Sequence, residues 1–390
     1  MIETADVIVI GGGVQGASLA YHLARRGSKV IVLERSAIAA GATGRSSGFV
    51  RMHYDLLLEA RLAWTSFPYF TNWPEMVGEG DPAFVRTGFL QLVPPRHEAA
   101  LRANVALQRA AGINTEVVDR ETAAQILNGA VLDDIEVAAH EPLSGYADPT
   151  GTAAGFLAAA RKLGARVLVG TRVEAVDVEG GRVVGVSTDR GRFAAPIVVN
   201  AAGAWAREIA AGVGLDVPIK PWRHDTAYFG LPEGRGSNLP VVIDHSREIY
   251  FRLEGHELLL VGLEIGSTVG GEPDDPMPGL GPTTVEEMVD RVCARLPWMS
   301  EGTFRTGHDG QDGITPDQRP IVGPAGPDGF FLDCGHSGTG FKTAPAMGAS
   351  MAEWILDGRP STVDITPFDL GRFASGKLIV GEHPYDAIWR

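Results

Sequence analysis

The residues with the clearest chemical potential are three glycines near the start of the chain. Gly11, Gly13 and Gly16 have the G-x-G-x-x-G spacing of a turn that lets the backbone approach a pyrophosphate. The turn follows a short apolar run, Val7–Ile10, which predicts a buried parallel strand, and it precedes a helical pattern over residues 17–26. The N–H groups and the dipole at such a helix start favour phosphate. We therefore predict a dinucleotide cofactor, and this turn is compatible with either NAD or FAD.

An acid follows at the spacing that ribose binding requires. Residues 29–33 form a second run rich in β-branched residues, and Glu34 stands at its end. This is close to the offset of roughly 20 residues expected for an acid that binds ribose hydroxyls. Strand, turn, helix, strand and acid thus occur in the order of a dinucleotide-binding fold.

A second group of chemical side chains follows the acid. The small and hydroxyl residues of the loop 41–48 can bring backbone donors and hydroxyls against a ligand, although a plain surface loop has the same composition. The loop leads into Arg51, His53 and Tyr54, which place a cation, an imidazole and a phenol within four residues. This clustering is not typical of a solvated loop, in which acids would be as common.

Composition limits the class of protein. The 390 residues allow about two domains, and the hydrophobic fraction of 44% is ordinary for a globular protein. The net charge of −14 argues against nucleic acid or an anionic membrane as a partner. Cys293 and Cys334 lack metal-ligand spacing, so we expect no metal site and no disulfide scaffold. With no room for a signal peptide before the first strand and no long apolar run, we expect a cytoplasmic location and no membrane span.

Together these motifs resemble the D-amino-acid-oxidase family of FAD proteins, and within it the sarcosine oxidase and dimethylglycine dehydrogenase branch. Besides the first strand-turn-helix, Glu34 and the 41–54 stretch, residues 309–323 and 330–342 match the C-terminal signature of the family. The resemblance covers nearly the whole chain. It favours FAD over NAD, because the second glycine-rich turn, residues 335–340, has no place in a plain NAD fold.

The resemblance implies which residues hold FAD. Glu34 would bind the adenosine ribose, the 43–48 loop would run beneath the flavin, and the backbone of Val173 would contact adenine. The motif of residues 199–205 would close over the cofactor, although tight helix–strand packing without a ligand is the alternative. The full implied set is Gly11, Gly13, Val14, Gln15, Gly16, Glu34, Arg35, Thr43, Gly44, Arg45, Ser46, Ser47, Val173, Ala202, Gly203, Trp205, Gly338, Thr339, Gly340, Phe341 and Lys342.

The resemblance also implies a substrate site. Arg51 and Lys342 would clamp a substrate carboxylate, and Tyr250 would contact the substrate unless it is an ordinary sheet aromatic. From the chemistry of imidazole, and not from the resemblance, we expect His53 to accept a proton from the substrate ammonium. His224 is expected to be structural.

The implied reaction is oxidation of a secondary, N-methyl or primary amino acid. Hydride would pass from the carbon next to nitrogen to flavin N5, and the resulting imine would hydrolyse. Two alternatives stay open. One is an FAD dehydrogenase of a 2-hydroxy acid or amine with an acceptor other than oxygen, and the other is a non-catalytic FAD-binding subunit of a larger assembly.

Two departures from the monomeric sarcosine oxidases bear on the chemistry. Glu264 stands where those enzymes have a lysine that activates oxygen, so the electron acceptor is oxygen or another, unknown molecule. Gly310 stands where they have a cysteine bonded to the flavin, so we expect non-covalent FAD. The oligomeric state is left open.

The expected fold class is α/β with α+β. A Rossmann-type FAD-binding domain would interleave with a mixed-sheet substrate domain, similar to glutathione reductase and p-hydroxybenzoate hydroxylase. We assign residues 1–50, 146–215 and 305–365 to the FAD-binding domain, residues 51–145 and 216–304 to the substrate domain, and residues 366–390 to a C-terminal tail. Helices are predicted over 55–70, 96–111, 120–127, 150–163 and 343–356, and strands over 183–188 and 330–334.

Overall fold

The computed structural model describes residues 2–235, 238–263 and 267–386. In chain order its strands are β1 (Glu3–Thr4), β2 (Val7–Ile10), β3 (Val30–Glu34), β4 (Phe49–Val50), β5 (Val85–Arg86), β6 (Phe89–Leu92), β7 (Glu116–Asp119), β8 (Val137–Glu141), β9 (Gly145–Tyr146), β10 (Arg166–Val169), β11 (Val173–Glu179), β12 (Arg182–Thr188), β13 (Gly191–Ala194), β14 (Ile197–Asn200), β15 (Lys220–Gly230), β16 (Val241–Asp244), β17 (Ile249–Glu254), β18 (Leu258–Leu263), β19 (Thr268–Val269), β20 (Thr303–Ile314), β21 (Ile321–Pro324) and β22 (Phe330–Cys334). The helices are α1 (Val14–Arg25), α2 (Leu57–Thr71), α3 (Trp73–Met76), α4 (Glu98–Ala110), α5 (Arg120–Ile126), α6 (Pro149–Lys162), α7 (Ala206–Ala211), α8 (Pro282–Arg295), α9 (Gly340–Asp357) and α10 (Gly371–Ala374).

A six-stranded sheet carries the glycine-rich turns, in the strand order β10-β3-β2-β14-β22-β21. Its strands are parallel, except that β21 runs antiparallel to β22. Side chains alternate between the two faces, as the two-residue repeat of a strand requires. Val7 and Val9 pack with helices α1, α6 and α9, whereas Ile8 and Ile10 pack towards β11, β12 and α7. The sheet is therefore buried on both faces, which explains its unbroken apolar strands.

A second sheet has nine strands, in the order β19-β15-β18-β17-β16-β6-β8-β7, and β20 pairs with β15. Its two faces differ in chemistry. Phe251 packs with α8 on one face, and the adjacent Tyr250 lies on the other face in a cluster with Phe49 and Phe89. This aromatic face, which includes Phe49 from just after the 41–48 loop, helps to position the site described below.

The expected fold class is confirmed, since the chain folds into a parallel sheet with flanking helices and a larger mixed sheet. The predicted helices and strands all occur, with ends shifted by up to three residues. The largest shifts are at two helix starts: α1 begins at Val14 instead of residue 17, and α9 begins at Gly340 instead of residue 343. The second shift places Lys342 in the first turn of α9. The proposed domain boundaries remain a prediction; the one at residue 305 falls within β20.

The C-terminal segment packs against the rest of the chain. The Ile379 N–H donates to the Asp317 carboxylate at 3.1 Å, and the Glu382 N–H donates to the Asp55 carbonyl at 2.9 Å. The side chain of Tyr385 is buried, and its hydroxyl lies 2.8 Å from His53 Nε2. This segment therefore reaches the cluster of residues 51–54. Within the described ranges, no helix combines the length and the apolar character needed to cross a membrane.

Candidate active site

A cavity of about 500 Å³ lies at the carboxyl ends of four parallel strands of the six-stranded sheet. Its wall includes Ile10 at the end of β2, Glu34 at the end of β3, Ala201 directly after β14 and Asp333 near the end of β22. Ligands of open α/β sheets bind at this edge. The cavity is therefore the candidate active site.

The first glycine-rich turn forms part of the cavity wall. Gly11 has a φ of +113°, and a Cβ there would stand 2.4 Å from the Ala201 carbonyl oxygen, so this position requires glycine. Gly13 is the N-cap of α1, and the first turn of the helix has no acidic side chain and no side-chain cap. The Thr43 hydroxyl, 3.0 Å from the Val14 nitrogen, accepts that N–H and holds the 42–45 turn against the helix start. This arrangement fits the pyrophosphate of FAD.

The Glu34 carboxylate is held at the wall by backbone donors. Its Oε2 accepts the Gly12 N–H at 2.7 Å, and its Oε1 accepts the Ser36 N–H at 2.7 Å. Each oxygen of an ionised carboxylate keeps a further acceptor site after one hydrogen bond. The carboxylate is thus oriented and still able to accept a ribose hydroxyl.

Most of the residues implied by the family resemblance line this cavity. They are Gly11, Gly13, Val14, Gln15, Glu34, Arg35, Thr43, Arg45, Ser46, Ser47, Val173, Ala202, Gly203, Trp205, Gly338, Gly340 and Phe341. Gly16, Gly44, Thr339 and Lys342 are not part of its wall. Gly16 instead allows close packing, because a Cβ there would lie 2.2 Å from the Gly11 carbonyl oxygen.

Sequence reasoning missed a second set of lining residues. They are Thr171, Arg172, Glu208, His224, Pro273, Asp274, Met277, Gln311, Asp312, Asp333 and His336. Gly310, which the resemblance places next to the flavin, also lines the cavity. For His224 and Asp312 the available signal is the alternation of strands β15 and β20, which brings every second side chain to one face. Residues 273–277 lie outside the helices and strands, and no local pattern in the sequence indicates their position.

Three side chains close one wall of the cavity. The Arg35 guanidinium lies over the Trp205 ring, with Cζ 4.0 Å from the ring centroid, and pairs with the Asp274 carboxylate at 2.8 Å. The Trp205 Nε1–H donates to the same carboxylate at 2.9 Å. This cluster joins the segment that contains Asp274 to the end of β3.

The second glycine-rich turn is fastened to the first helix and to β20. The Gly338 N–H donates to Asp312 Oδ2 at 2.7 Å, and the Gln15 side-chain amide donates to the Gly340 carbonyl at 2.7 Å. His336 Nε2 lies 3.0 Å from the buried Asp333 carboxylate. The two turns therefore face the same cavity from β2 and β22, the two strands that flank β14.

The sequence predicts four catalytic residues: Arg51, His53, Tyr250 and Lys342. Of these, Tyr250 lines the cavity in the part of the chain that the structure describes. Its hydroxyl lies 3.3 Å from Thr226 Oγ1, and its ring meets the Phe49 ring edge-on at 5.5 Å between centroids. Burial raises the pKa of Tyr250 to about 12. The phenol therefore stays protonated near neutral pH and can donate a hydrogen bond.

Arg51 and Lys342 are buried and lie beside the same aromatic ring. Arg51 Cζ is 4.4 Å, and Lys342 Nζ is 5.8 Å, from the centroid of the Tyr54 ring. Among the residues that the structure describes, Lys342 forms no ion pair, and its one hydrogen bond reaches the Gly338 carbonyl at 3.5 Å. Burial lowers the pKa of Lys342 well below its usual value, the nearby Arg51 lowers it further, and Glu59 and Asp312 oppose this. Two adjacent buried cations favour an anion between them.

His53 occupies a different environment from the one expected of a proton acceptor. Its side chain is fully buried, its Nε2 lies 2.8 Å from the Tyr385 hydroxyl, and its backbone carbonyl accepts a hydrogen bond from Arg51. Burial, with Arg51 and His245 nearby, lowers the pKa of His53 to about 3. Such an imidazole is neutral and weakly basic, so this geometry does not favour the proton-acceptor role.

Two predictions from the sequence concern the electron acceptor and the absence of a covalent bond to the flavin. Glu264, expected where relatives have an oxygen-activating lysine, lies outside the described residues. The Cys334 thiol is buried in β22 next to the Ile321 carbonyl, and Cys293 lies on α8. Neither cysteine lines the cavity.

Known proteins resemble the chain in both sequence and structure. The chain is 30% identical over 388 residues to mitochondrial sarcosine dehydrogenase of Homo sapiens, a match that covers 95% of this chain and 42% of that protein. It is 27% identical to 4-methylaminobutanoate oxidase (formaldehyde-forming) of Paenarthrobacter nicotinovorans, covering 94% of this chain and 45% of that protein. The chain thus spans less than half the length of these relatives. L-proline dehydrogenase from P. horikoshii superimposes with a TM-score of 0.89 at 28% identity, covering 97% of this chain and 100% of that chain.

The family assignment rests on nearly the whole chain. Residues 6–354 match the DAO family, described as FAD dependent oxidoreductase. The match includes both glycine-rich turns and the Glu34 carboxylate, the features that fit FAD in the cavity. The chain therefore belongs to the DAO family of FAD-dependent oxidoreductases.

Proposed function

We propose that the chain oxidises an amine that bears a carboxylate, such as a secondary, N-methyl or primary amino acid. The observation that carries this proposal is the pair of buried cations, Arg51 and Lys342, beside the Tyr54 ring. A buried ammonium without an ion pair within the described residues is costly, and a substrate carboxylate would offset that cost. The sarcosine and proline enzymes named above are consistent with such a substrate.

The protein's own groups have separate tasks in this proposal. FAD, when bound, supplies the hydride acceptor for the carbon next to nitrogen. Arg51 offers a bidentate fork to the carboxylate and Lys342 a point charge. Tyr250 contributes a protonated hydroxyl to the wall. Holding the reacting groups in one geometry can contribute about 7–11 kcal/mol to catalysis in ideal cases.

A turnover assay with matched compounds tests the proposal. N-methylglycine, proline and glycine are compared with their esters, which keep the amine and lose the carboxylate charge, using a dye as electron acceptor. We expect turnover of at least one free acid and a loss of most activity with its ester. Equal turnover of acid and ester would contradict the carboxylate clamp.

The electron acceptor is a second question at the same site. Glu264 in place of a lysine favours an acceptor other than oxygen, so we propose a dehydrogenase. Stopped-flow mixing of the reduced enzyme with aerated buffer would then show reoxidation slower than turnover with the dye. Glu264→Lys should accelerate it, and Glu257→Lys, a change in the turn between β17 and β18, serves as the control. Reoxidation as fast as turnover in the unmodified protein would restore the oxidase hypothesis.

Two further alternatives come from the sequence. A 2-hydroxy acid substrate predicts turnover of lactate or glycolate in the same assay. A non-catalytic FAD-binding subunit predicts bound FAD and no turnover of any acid, but such a subunit has no need of a substrate clamp.

A further inference from the structure

One face of the nine-stranded sheet brings several polar side chains to the cavity. Trp222 in β15 pairs with Asp312 in β20, and two residues along, His224 pairs with Gly310. Residues directly opposite in an antiparallel pair share a face, as do residues two apart on one strand. Asp312 and His224 therefore lie on the same face.

Tyr250 belongs to that face as well. Thr226, two residues after His224, pairs with Gly262, and Gly262 pairs with Tyr250 on the next strand. Asp312, His224 and Tyr250 all line the cavity. The face thus presents a carboxylate, an imidazole and a phenol to the same space.

The Asp312 carboxylate is oriented by two backbone donors. Its Oδ1 accepts the Gly313 N–H at 2.7 Å, and its Oδ2 accepts the Gly338 N–H at 2.7 Å. An ionised carboxylate has about four acceptor sites, so about two remain for a ligand. Its side chain is partly exposed, in contrast to the fully buried His53.

Asp312 also lies near the proposed carboxylate clamp. Asp312 Oδ2 accepts the Gly338 N–H at 2.7 Å, and Lys342 Nζ lies 3.5 Å from the carbonyl oxygen of the same residue. Asp312 lines the cavity, and Lys342 directly follows the lining residue Phe341 on α9. The charges of the Arg51–Lys342 pair and of Asp312 are together complementary to a zwitterion: the cations match a carboxylate, and the acid matches an ammonium.

Among the other acids of the cavity wall, Glu34 accepts the Gly12 and Ser36 N–H groups, Asp274 pairs with Arg35 and Trp205, and Asp333 lies 3.0 Å from His336. Glu208 lies on α7, which directly follows Trp205.

We propose that Asp312 is a substrate-binding residue that accepts a hydrogen bond from the amine nitrogen of the substrate. The inference rests on the proposed function and deepens it, because it assigns the amine end of the substrate to β20. The assignment predicts that compounds with both an ammonium and a carboxylate bind more tightly than compounds with a carboxylate alone, and 2-hydroxy acids belong to the second group.

Calorimetric titration of the FAD-loaded protein with two compounds of matched shape tests this assignment. One is 2-aminoisobutyrate, which has no hydrogen on the carbon next to nitrogen and cannot be oxidised there. The other is pivalate, in which a methyl group replaces the ammonium. The variant is Asp312→Asn, which keeps the shape and an acceptor for one glycine N–H. The control is Asp309→Asn, because Asp309 in the same strand also accepts a glycine N–H, from Gly279 at 2.8 Å, and does not line the cavity.

We expect Asp312→Asn to raise the Kd of 2-aminoisobutyrate by about ten- to hundredfold, since a charge-assisted hydrogen bond is lost. Pivalate should bind the variant as well as, or more tightly than, the unmodified protein, because a negative charge near the anion is removed. Asp309→Asn should leave both affinities unchanged. FAD content and the visible spectrum are measured for every variant.

The remaining outcomes overturn the inference in distinguishable ways. If Asp312→Asn binds 2-aminoisobutyrate normally while pivalate binds both proteins, the amine is held elsewhere and the carboxylate clamp survives. If the variant changes both compounds equally and loses FAD, Asp312 supports the cofactor and not the amine. If neither compound binds the unmodified protein, the clamp fails, and this inference fails with it.

Discussion

The ring of Tyr250 lies directly over Gly262, its partner across strands β17 and β18. A Cβ on Gly262 would stand 2.0 Å from Tyr250 Cζ and 2.2 Å from the Tyr250 hydroxyl oxygen. The absence of a side chain at 262 therefore creates the space in which Tyr250 rests, with its hydroxyl 3.3 Å from Thr226 Oγ1. An aromatic side chain covering a cross-strand glycine is a known means of stabilising a sheet.

Gly262→Ala should displace the Tyr250 ring from the cavity wall. Because misplacement of a positioning group by about 1 Å can cost on the order of 100-fold in rate, we expect turnover to fall by up to about that factor. FAD content should stay normal, since both glycine-rich turns lie on other elements. Steady-state kinetics with the substrate found in the turnover assay measures the effect. Gly281→Ser is the control, because that position has open space around it and serves as the N-cap of α8. Unchanged turnover in Gly262→Ala would show that Tyr250 does not contact the substrate.

Lys342→Met should weaken a carboxylate inhibitor while FAD content stays normal. The loss of one charge-assisted contact costs about 1.5–3 kcal/mol, which corresponds to about ten- to hundredfold in Kd. Titration followed by the visible spectrum gives the affinity. Lys377→Met is a suitable control, because Lys377 is exposed near the C terminus. An unchanged affinity in the flavinylated Lys342→Met variant would show that the clamp is misplaced.

The pH dependence of inhibitor binding should report on the same lysine. Burial, and then Arg51, lower the pKa of Lys342 well below its usual value. A carboxylate needs the charged form, so affinity should be full below that lowered pKa and fall about tenfold per pH unit above it, with proton uptake on binding. Titrations from acid to alkaline pH in buffers of different ionisation enthalpy measure both quantities. Lys342→Met should lose this dependence, and a flat profile in the unmodified protein would contradict the assignment.

Several features of this fold follow from local patterns, because their physical causes are local. The unbroken apolar run Val7–Ile10 suits a strand covered on both faces, and Gly11 is required by its positive φ. These signals are enough to predict the strand-turn-helix and the position of Glu34 beside it. The sequence pattern predicts the start of α9 three residues too late, because Gly340, Phe341 and Lys342 carry no capping signal.

The remaining parts of the site depend on long-range packing that no local pattern encodes. Asp312 and His224 share one face of the sheet because β20 pairs with β15 in one register, and a one-residue shift would turn Asp312 to the other face. Asp274 reaches Arg35 from a loop more than 200 residues away in the chain. Tyr385 contacts His53 from the C-terminal segment, for which the sequence predicts a tail and no contact with the site.

Arg319→Met should strongly destabilise the protein. The buried Arg319 guanidinium donates to the Asp55 carboxylate at 2.8 Å and also pairs with Glu59, and both acids are buried. Removal of the guanidinium leaves two buried carboxylates without their ion pair to Arg319. We therefore expect the free energy of unfolding to fall by about 3–5 kcal/mol. Thermal unfolding followed by circular dichroism measures the change. Arg182→Met removes an exposed pair with Asp328 and should cost about 0–1 kcal/mol. Similar unfolding curves for the two variants would show that the buried pairs are not stabilising.

FAD should be held without a covalent bond. The resemblance implies that the monomeric sarcosine oxidases attach the flavin to a cysteine at the position of Gly310, which here lies on the cavity wall beside Arg45 and His224. It implies a histidine near the N-terminal flavin loop in some other relatives, and residues 43–48 of this chain contain none. Acid precipitation of the unmodified protein should therefore release all of the yellow colour into the supernatant. Colour retained in the pellet would contradict this, and peptide mapping would then identify the attached residue, with His224 the first to inspect.

Gly310→Cys provides the converse test. A Cβ at 310 would lie 3.4 Å from both the Arg45 Cβ and the His224 Cε1, which is ordinary contact, so the variant should fold. If Gly310 corresponds to the attachment position, Gly310→Cys should retain colour in the pellet and Gly310→Ser should not.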